Sequence, residues 1–165
     1  MENAIAVYEK AYQTEPSYQL AERLSYAYYF LADAFLEGDA KADIYHKGYD
    51  SGLVALKYNP EFKKLTEVDK KSMGDAVSVL DKEYAGGIFW TATCIGKWGK
   101  MKGIFKTVKS SKQARKMIEQ FDAIVFGERA RGKWMAGSNF FRRTPADQKA
   151  HADETAEPGV LVQIA

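Results

Sequence analysis

The segment that follows Pro16 carries the strongest helical pattern in the sequence. Its apolar residues recur at steps of three and four positions, which aligns them on one helix face: Leu20, Leu24, Ala27, Tyr28, Leu31, Ala32 and Phe35. Ser17 is a residue type that begins helices, and Gly38, within Glu37–Asp39, is expected to end this one. The pattern predicts an amphipathic helix whose apolar face needs other elements to cover it.

Helices are also predicted directly before and after this segment. Residues 3–14 form one, with four residues on a shared side: Ala4, Val7, Tyr8 and Ala11. Residues 41–58 form the other, which ends at Asn59-Pro60 because the residue before a proline disfavours helical backbone. Gly48 and Gly52 would each weaken that helix by about 1 kcal/mol. We therefore expect a neighbouring helix to approach closely at both glycines.

The rest of the chain is also predicted to be helical up to a polar tail. Residues 61–71 are predicted to form a charged turn or short helix. Four further helices are predicted over residues 73–84, 88–101, 110–121 and 127–141. Gly86-Gly87 is expected to separate the first of these from the second. The composition turns polar from Thr144 onward. We predict one helical domain over residues 1–145 and an extended C-terminal arm over residues 146–165.

Three groups of residues resemble the pattern of the tetratricopeptide repeat, in which small and large side chains alternate at fixed offsets in paired helices. They are Ala4, Tyr8, Ala11 and Pro16; Tyr28, Leu31, Ala32 and Phe35; and Gly48, Gly52, Ala55 and Pro60. In the last group Gly52 replaces the expected aromatic residue. The predicted fold class is all-α, with stacked antiparallel helix pairs in a tetratricopeptide-like solenoid or bundle. An ordinary helical bundle with similar spacing is the alternative.

Three segments together resemble a known family, the T component associated with tripartite ATP-independent periplasmic (TRAP) transporters. They are Tyr18–Ala32, Tyr45–Asn59 and Gly87–Trp98, the last carrying an aromatic-Trp and a later Gly-x-Trp. Phe126-Gly127 and Phe140–Pro145 resemble a weaker downstream block of the family. The resemblance implies a periplasmic protein that partners the solute-binding subunit of the transporter, forms trimers and encloses apolar cavities for a hydrophobic ligand. The start of this sequence lacks the pattern of an export signal, so a cytoplasmic location is the alternative.

Charge and composition argue against several other classes. Lys and Arg number 24 against 22 Asp and Glu, and the clusters at Lys97–Lys106 and Arg129–Arg143 fit solvated helix faces better than phosphate contacts. No apolar stretch of about 18 residues occurs, so we expect no membrane span. Cys94 is the only cysteine, which excludes an internal disulfide, and its apolar surroundings predict burial.

No catalytic or metal-binding motif is found, and no cofactor is expected. Gly127–Trp134 begins like a phosphate-binding loop, but Trp134 stands where that motif needs Ser or Thr. The candidate binding residues are Tyr26, Tyr29, Phe30, Trp90, Lys97 and Trp98. The first three lie off the main apolar stripe of their helix, whereas Trp90 and Trp98, eight residues apart, are expected to share a face and line a pocket beside Lys97. Burial between stacked helices explains the first three equally well.

The sequence therefore predicts a non-catalytic interaction module that binds a partner protein and forms homo-oligomers. The alternative is an accessory subunit of a larger complex unrelated to transport.

Overall fold

The architecture, taken from a computed structural model, is described for residues 2–126, with side chains for residues 3–103 and 108–126. The seven α-helices in this part of the chain are α1 (Glu2–Thr14), α2 (Tyr18–Phe35), α3 (Gly38–Leu56), α4 (Pro60–Glu67), α5 (Met73–Ala76), α6 (Ala85–Met101) and α7 (Ile104–Phe126). The helix predicted over residues 127–141 and the arm over residues 146–165 lie outside the described residues.

The helices pack as neighbouring pairs. Helix α2 packs along α3, α3 along α6, and α6 along α7, while α1 covers an outer face of α2. The α2–α3 and α6–α7 connections are two residues each, so both pairs run antiparallel. Residues 2–126 contain no strand. The predicted all-α fold of packed antiparallel helix pairs is confirmed.

Two apolar clusters hold the helices together. The larger joins α3 to α7 through α4, α5 and α6: Leu56, Phe62, Met73, Ala76, Val77, Leu80, Ile88, Ala92, Ile95, Ala114 and Met117. The smaller joins α1 to α2: Ile5, Leu24, Ala27, Tyr28 and Leu31. Leu56, Phe62, Ile88 and Met117 are fully buried. In α6, nine of the 17 residues are buried, so neighbouring helices cover it on more than one side.

Short polar side chains begin two of the helices. The Ser17 hydroxyl accepts the Leu20 N–H at 3.3 Å, as the sequence predicts, and the Asn59 side chain accepts the Phe62 N–H at 2.9 Å. The predicted role of Gly38 is wrong. Helix α2 ends at Phe35, and Gly38 is the first residue of α3, with a φ of +58°. Glycine suits this position because other L-residues are strained at positive φ.

The chain between residues 73 and 101 also differs from the prediction. The single helix expected over residues 73–84 is divided into α5 and two 3-10 turns, Val77–Val79 and Lys82–Tyr84. Val and Ser are weak helix formers, and the Asp81 carboxylate caps the second turn by accepting the Glu83 N–H at 2.9 Å. Gly86-Gly87 does not separate two helices but lies in the first turn of α6.

The buried face of α1 is rotated from the predicted one. Ile5 is buried, whereas Ala4 is exposed and Val7 is 66% exposed. Tyr8 and Tyr12 pack beside Ile5 against α2, and their steps of three and four define the face in contact. The tetratricopeptide-like pattern expects a packed small residue at Ala4. The group that begins at Ala4 therefore departs from that pattern at its first position.

Three helix backbones approach one another at the two glycines of α3. A Cβ added at Gly48 would lie 2.7 Å from Cys94 Sγ, and one at Gly52 would overlap the Thr91 side chain. The Ser25 hydroxyl donates a hydrogen bond to the Gly48 carbonyl oxygen at 2.7 Å. The predicted close approach is confirmed. We call these five residues, from α2, α3 and α6, the glycine junction.

Replacing Gly52 with alanine is expected to destabilise the protein by about 1–2 kcal/mol, although alanine is the better helix former. The new methyl group has to displace Thr91 Oγ1, which donates to the Gly87 carbonyl at 2.6 Å, and overpacking of this kind costs about 1–3 kcal/mol. Urea denaturation monitored by circular dichroism measures the change.

Gly86→Ala in α6 is the matched control. Its methyl group would meet only the carboxylate end of Glu22, a half-buried side chain that can swing aside. We expect Gly86→Ala to leave stability unchanged or raise it by up to about 1 kcal/mol. If both variants were equally stable, the glycine junction would not be close-packed.

Candidate functional site

Four of the predicted aromatic residues form one group between α2 and α6. The Trp90 ring of α6 lies 4.8 Å from Tyr26 and 5.4 Å from Tyr29, and Tyr26 lies 6.2 Å from Phe30, measured between ring centroids. Positions 26, 29 and 30 share a face of α2 because they are three and four residues apart. Tyr26 and Phe30 are each 38% exposed, whereas Tyr29 and Trp90 are half-buried.

Two phenylalanines that the sequence pattern does not predict as site residues extend this group. The Phe35 ring packs against Phe30 at 6.1 Å and is 62% exposed, so its predicted place on the core face is wrong. Phe89 packs against Trp90 at 4.8 Å. We call the residues Tyr26, Tyr29, Phe30, Phe35, Phe89 and Trp90 the aromatic surface. Helical spacing places Phe35 on the same side of α2 as Leu24, Tyr28 and Leu31, but spacing alone could not show that the Phe35 side chain stays exposed.

Lys97 lies beside this surface, as predicted, and Trp98 packs elsewhere. Lys97 follows Trp90 by seven residues, which places the two on nearly the same side of α6. Trp98 follows Trp90 by eight residues, so it is turned by about 80° from Trp90 around the helix axis. The Lys97 ammonium lies 5.9 Å from the centroid of the Tyr29 ring. The Trp98 ring packs against His46 of α3 at 5.0 Å. The structure thus brings five of the six candidate residues together and places Trp98 beside His46.

Asp33 connects three helices at the edge of the aromatic surface. Its carboxylate accepts hydrogen bonds from the Tyr45 hydroxyl at 2.5 Å and from the Lys97 ammonium at 2.9 Å. Lys41 donates to the Asp33 backbone carbonyl at 3.1 Å. These bonds join α2, α3 and α6 through one carboxylate.

The Asp33 contacts shift the pKa values of both acidic groups. The hydrogen bonds from Tyr45 and then Lys97 lower the pKa of Asp33, because they stabilise its charged form. Burial, followed by the hydrogen bond to Asp33, raises the pKa of Tyr45. Asp33 is therefore ionised and Tyr45 protonated at neutral pH, the states in which both hydrogen bonds form.

This arrangement is suited to noncovalent binding. Rings that already pack against one another lose little side-chain freedom when a partner covers them, and the tyrosines offer a hydroxyl beside an apolar face. Within the part of the chain that the structure describes, no three His, Cys, Asp or Glu side chains are placed to hold a metal ion. Cys94 is buried as predicted, and burial raises the pKa of its thiol to about 12.

Comparison with known proteins does not identify a family for this chain. No protein-family model matches the sequence, and no curated protein matches it either. The resemblance to the T component of TRAP transporters therefore stays a prediction. Among residues 2–126, no helix combines the length and the apolar character needed to cross a bilayer.

Tyr45→Phe is expected to destabilise the protein by about 1 kcal/mol at pH 7, through loss of the hydrogen bond to Asp33. Because folding raises the pKa of Tyr45 above the unfolded value near 10, its contribution is complete below about pH 10 and is lost as the pH rises further. The parent should therefore lose more stability than Tyr45→Phe between pH 9 and about pH 11. Urea denaturation at both pH values tests this.

Tyr26→Phe is the control, since it removes a hydroxyl from a 38% exposed tyrosine of α2 and keeps the hydrogen bond between Tyr45 and Asp33. Its alkaline loss should match that of the parent. Some alkaline loss should persist in every variant, because burial also raises the pKa values of Tyr18 and Tyr49, each to about 12. An alkaline loss in Tyr45→Phe as large as in the parent would contradict the assigned hydrogen bond.

Proposed function

We propose that this protein is a non-catalytic helical module that binds a partner protein through the aromatic surface. The observation that carries the proposal is the exposure of Tyr26, Phe30 and Phe35 in one continuous run of ring contacts. Adjoining large aromatic rings are uncommon on free surfaces and are enriched where proteins bind one another.

The setting of these rings supports the proposal. Tyr26 leans on Trp90, and α2 is held to α6 beside them by the ion pair between Asp33 and Lys97. A partner would therefore meet rings whose positions are largely set before binding, which reduces the entropy lost on association. The ion pair at the edge would supply polar contacts at the rim of such an interface.

The family resemblance supports a more specific proposal. Two of the three segments that resemble the T component, Tyr18–Ala32 and Gly87–Trp98, include Tyr26, Tyr29, Phe30, Phe89 and Trp90 of the aromatic surface. We therefore propose that the partner is the solute-binding subunit of a TRAP transporter, in the periplasm. A hydrophobic ligand and assembly into homo-oligomers belong to the same proposal.

The partner is tested by native mass spectrometry on the full chain purified gently from its own source. A complex with a periplasmic solute-binding protein would support the transport role. A complex of fixed stoichiometry with subunits of another assembly would overturn the transport role and favour an accessory subunit.

The surface is tested with the double variant Tyr26→Ser and Phe30→Ser. Because truncated interface aromatics commonly cost about 2 kcal/mol or more, we expect affinity for the co-purified partner to fall at least about tenfold. Titration calorimetry with the purified partner measures the affinity, and circular dichroism checks the fold.

Val68→Ser is the control for this experiment, because Val68 is 70% exposed and lies after α4, away from the aromatic surface in sequence. We expect its affinity to equal that of the parent. If the double variant bound as tightly as Val68→Ser, the aromatic surface would not be the interface.

A further inference from the structure

Positive charge is concentrated in one part of the chain. Eight Lys and Arg residues and no acidic residue lie between Glu83 and Glu119: Lys97, Lys100, Lys102, Lys106, Lys109, Lys112, Arg115 and Lys116. The whole sequence has a net charge of only +2, so other segments are acidic. This concentration belongs to the end of α6 and the first half of α7.

Three of these cations are neutralised by acids of other helices. Lys97 pairs with Asp33 at 2.9 Å. Lys102 lies 3.2 Å from Asp39 and 3.7 Å from Asp43, both in α3. Lys116 pairs with Asp75 of α5. These exposed ion pairs link α6 and α7 to neighbouring helices and balance part of the positive charge of their cations.

Lys109, Lys112 and Arg115 are different. All three are exposed, and none forms an ion pair within the described part of the chain. Residues that are three positions apart differ by about 60° around a helix axis. Lys109, Lys112 and Arg115 therefore lie within a 120° arc of α7. Val108, 69% exposed, lies inside the same arc. We call Lys109, Lys112, Arg115 and Val108 the basic face. Lys116 and the exposed acid Glu119 lie in the same arc, and Asp75, which pairs with Lys116, also attracts Lys112.

The basic face is unfavourable for the isolated helix. Like charges three or four residues apart destabilise a helix by about 0.2–0.5 kcal/mol per pair, and Lys109, Lys112 and Arg115 form two such pairs, which Glu119, four residues after Arg115, offsets only in part. An anion that lies across the face would remove this repulsion and gain three attractive contacts.

We propose that the basic face binds an acidic segment of a partner protein. The three cations span about 9 Å along the helix axis, which matches three residues of an extended chain or two turns of a helix. Exposed Val108 adds an apolar contact of the kind that a peptide side chain makes. Lipid-binding clusters commonly contain about 4–8 adjacent cations, and duplex binders contact about 6–10 phosphates, so three cations fit a short peptide better.

This proposal does not depend on the aromatic surface, since it involves different residues on a different helix. It is tested with a fluorescein-labelled peptide of ten glutamates and the full chain, by fluorescence anisotropy at 50 mM and 300 mM NaCl. We expect binding at the lower salt concentration and clear weakening at the higher one, because exposed charges are screened. Absence of binding at 50 mM NaCl would overturn the proposal.

The triple variant Lys109→Gln, Lys112→Gln and Arg115→Gln should weaken peptide binding about tenfold. The matched control is Lys10→Gln, Arg23→Gln and Lys47→Gln, which removes two Lys and one Arg from exposed positions of α1, α2 and α3. The control should bind like the parent. If the control lost as much affinity as the triple variant, binding would reflect net charge alone and the proposal would be wrong.

Two further probes distinguish the peptide from other polyanions. A 12-base-pair DNA duplex and vesicles of phosphatidylserine and phosphatidylcholine are tested under the same conditions. Both should bind more weakly than the glutamate peptide. Tighter binding of either probe, lost in the Lys109, Lys112 and Arg115 variant, would assign the basic face to nucleic acid or membrane and overturn the proposal.

Discussion

The close approach of α3 to α2 and α6 at Gly48 and Gly52 determines the positions of the other parts of the structure. Without Cβ atoms at these residues the helix backbones come near enough for the Ser25 hydroxyl to reach the Gly48 carbonyl oxygen. The spacing between α2 and α6 follows from this contact, because α3 packs against both. The ring contacts of Trp90 with α2 and the ion pair between Asp33 and Lys97 all require that spacing, so the aromatic surface depends on two buried glycines.

The two sides of α2 pack against different helices and to different extents. The side that carries Leu24, Tyr28 and Leu31 meets α1 in an apolar cluster. The side that carries Tyr26 and Phe30 meets α6 only in part, since each of these residues is 38% exposed. Burial by neighbours therefore accounts for the inner atoms of these residues, and the proposed binding surface would use their outer atoms. Core packing orients the rings, and their outer faces remain available.

Features that depend on local chemistry could be predicted from the sequence. Ser17 as a helix cap, the tight contact at Gly52 and the burial of Cys94 follow from residue type and spacing. Features that depend on how helices distant in sequence pack together could not be predicted from it. Phe35 has the spacing of a core residue but is exposed, and Gly86-Gly87 has the composition of a break but opens α6, where the Gly87 N–H donates to the Tyr18 hydroxyl at 3.2 Å. At Gly87 a contact distant in sequence outweighs the local preference, and at Phe35 the exposure depends on how the other helices pack, which helical spacing does not give.

The burial of Cys94 makes it a reporter of motion in the native state. Its side chain is fully covered, and burial raises the pKa of the thiol to about 12, so a thiol reagent meets neither an accessible nor an ionised sulfur while the helices remain packed. Labelling requires α6 to separate from α2 or α3 around Cys94. The rate at which a thiol reagent modifies the folded protein therefore measures how often the glycine junction opens, through a natural probe that needs no substitution.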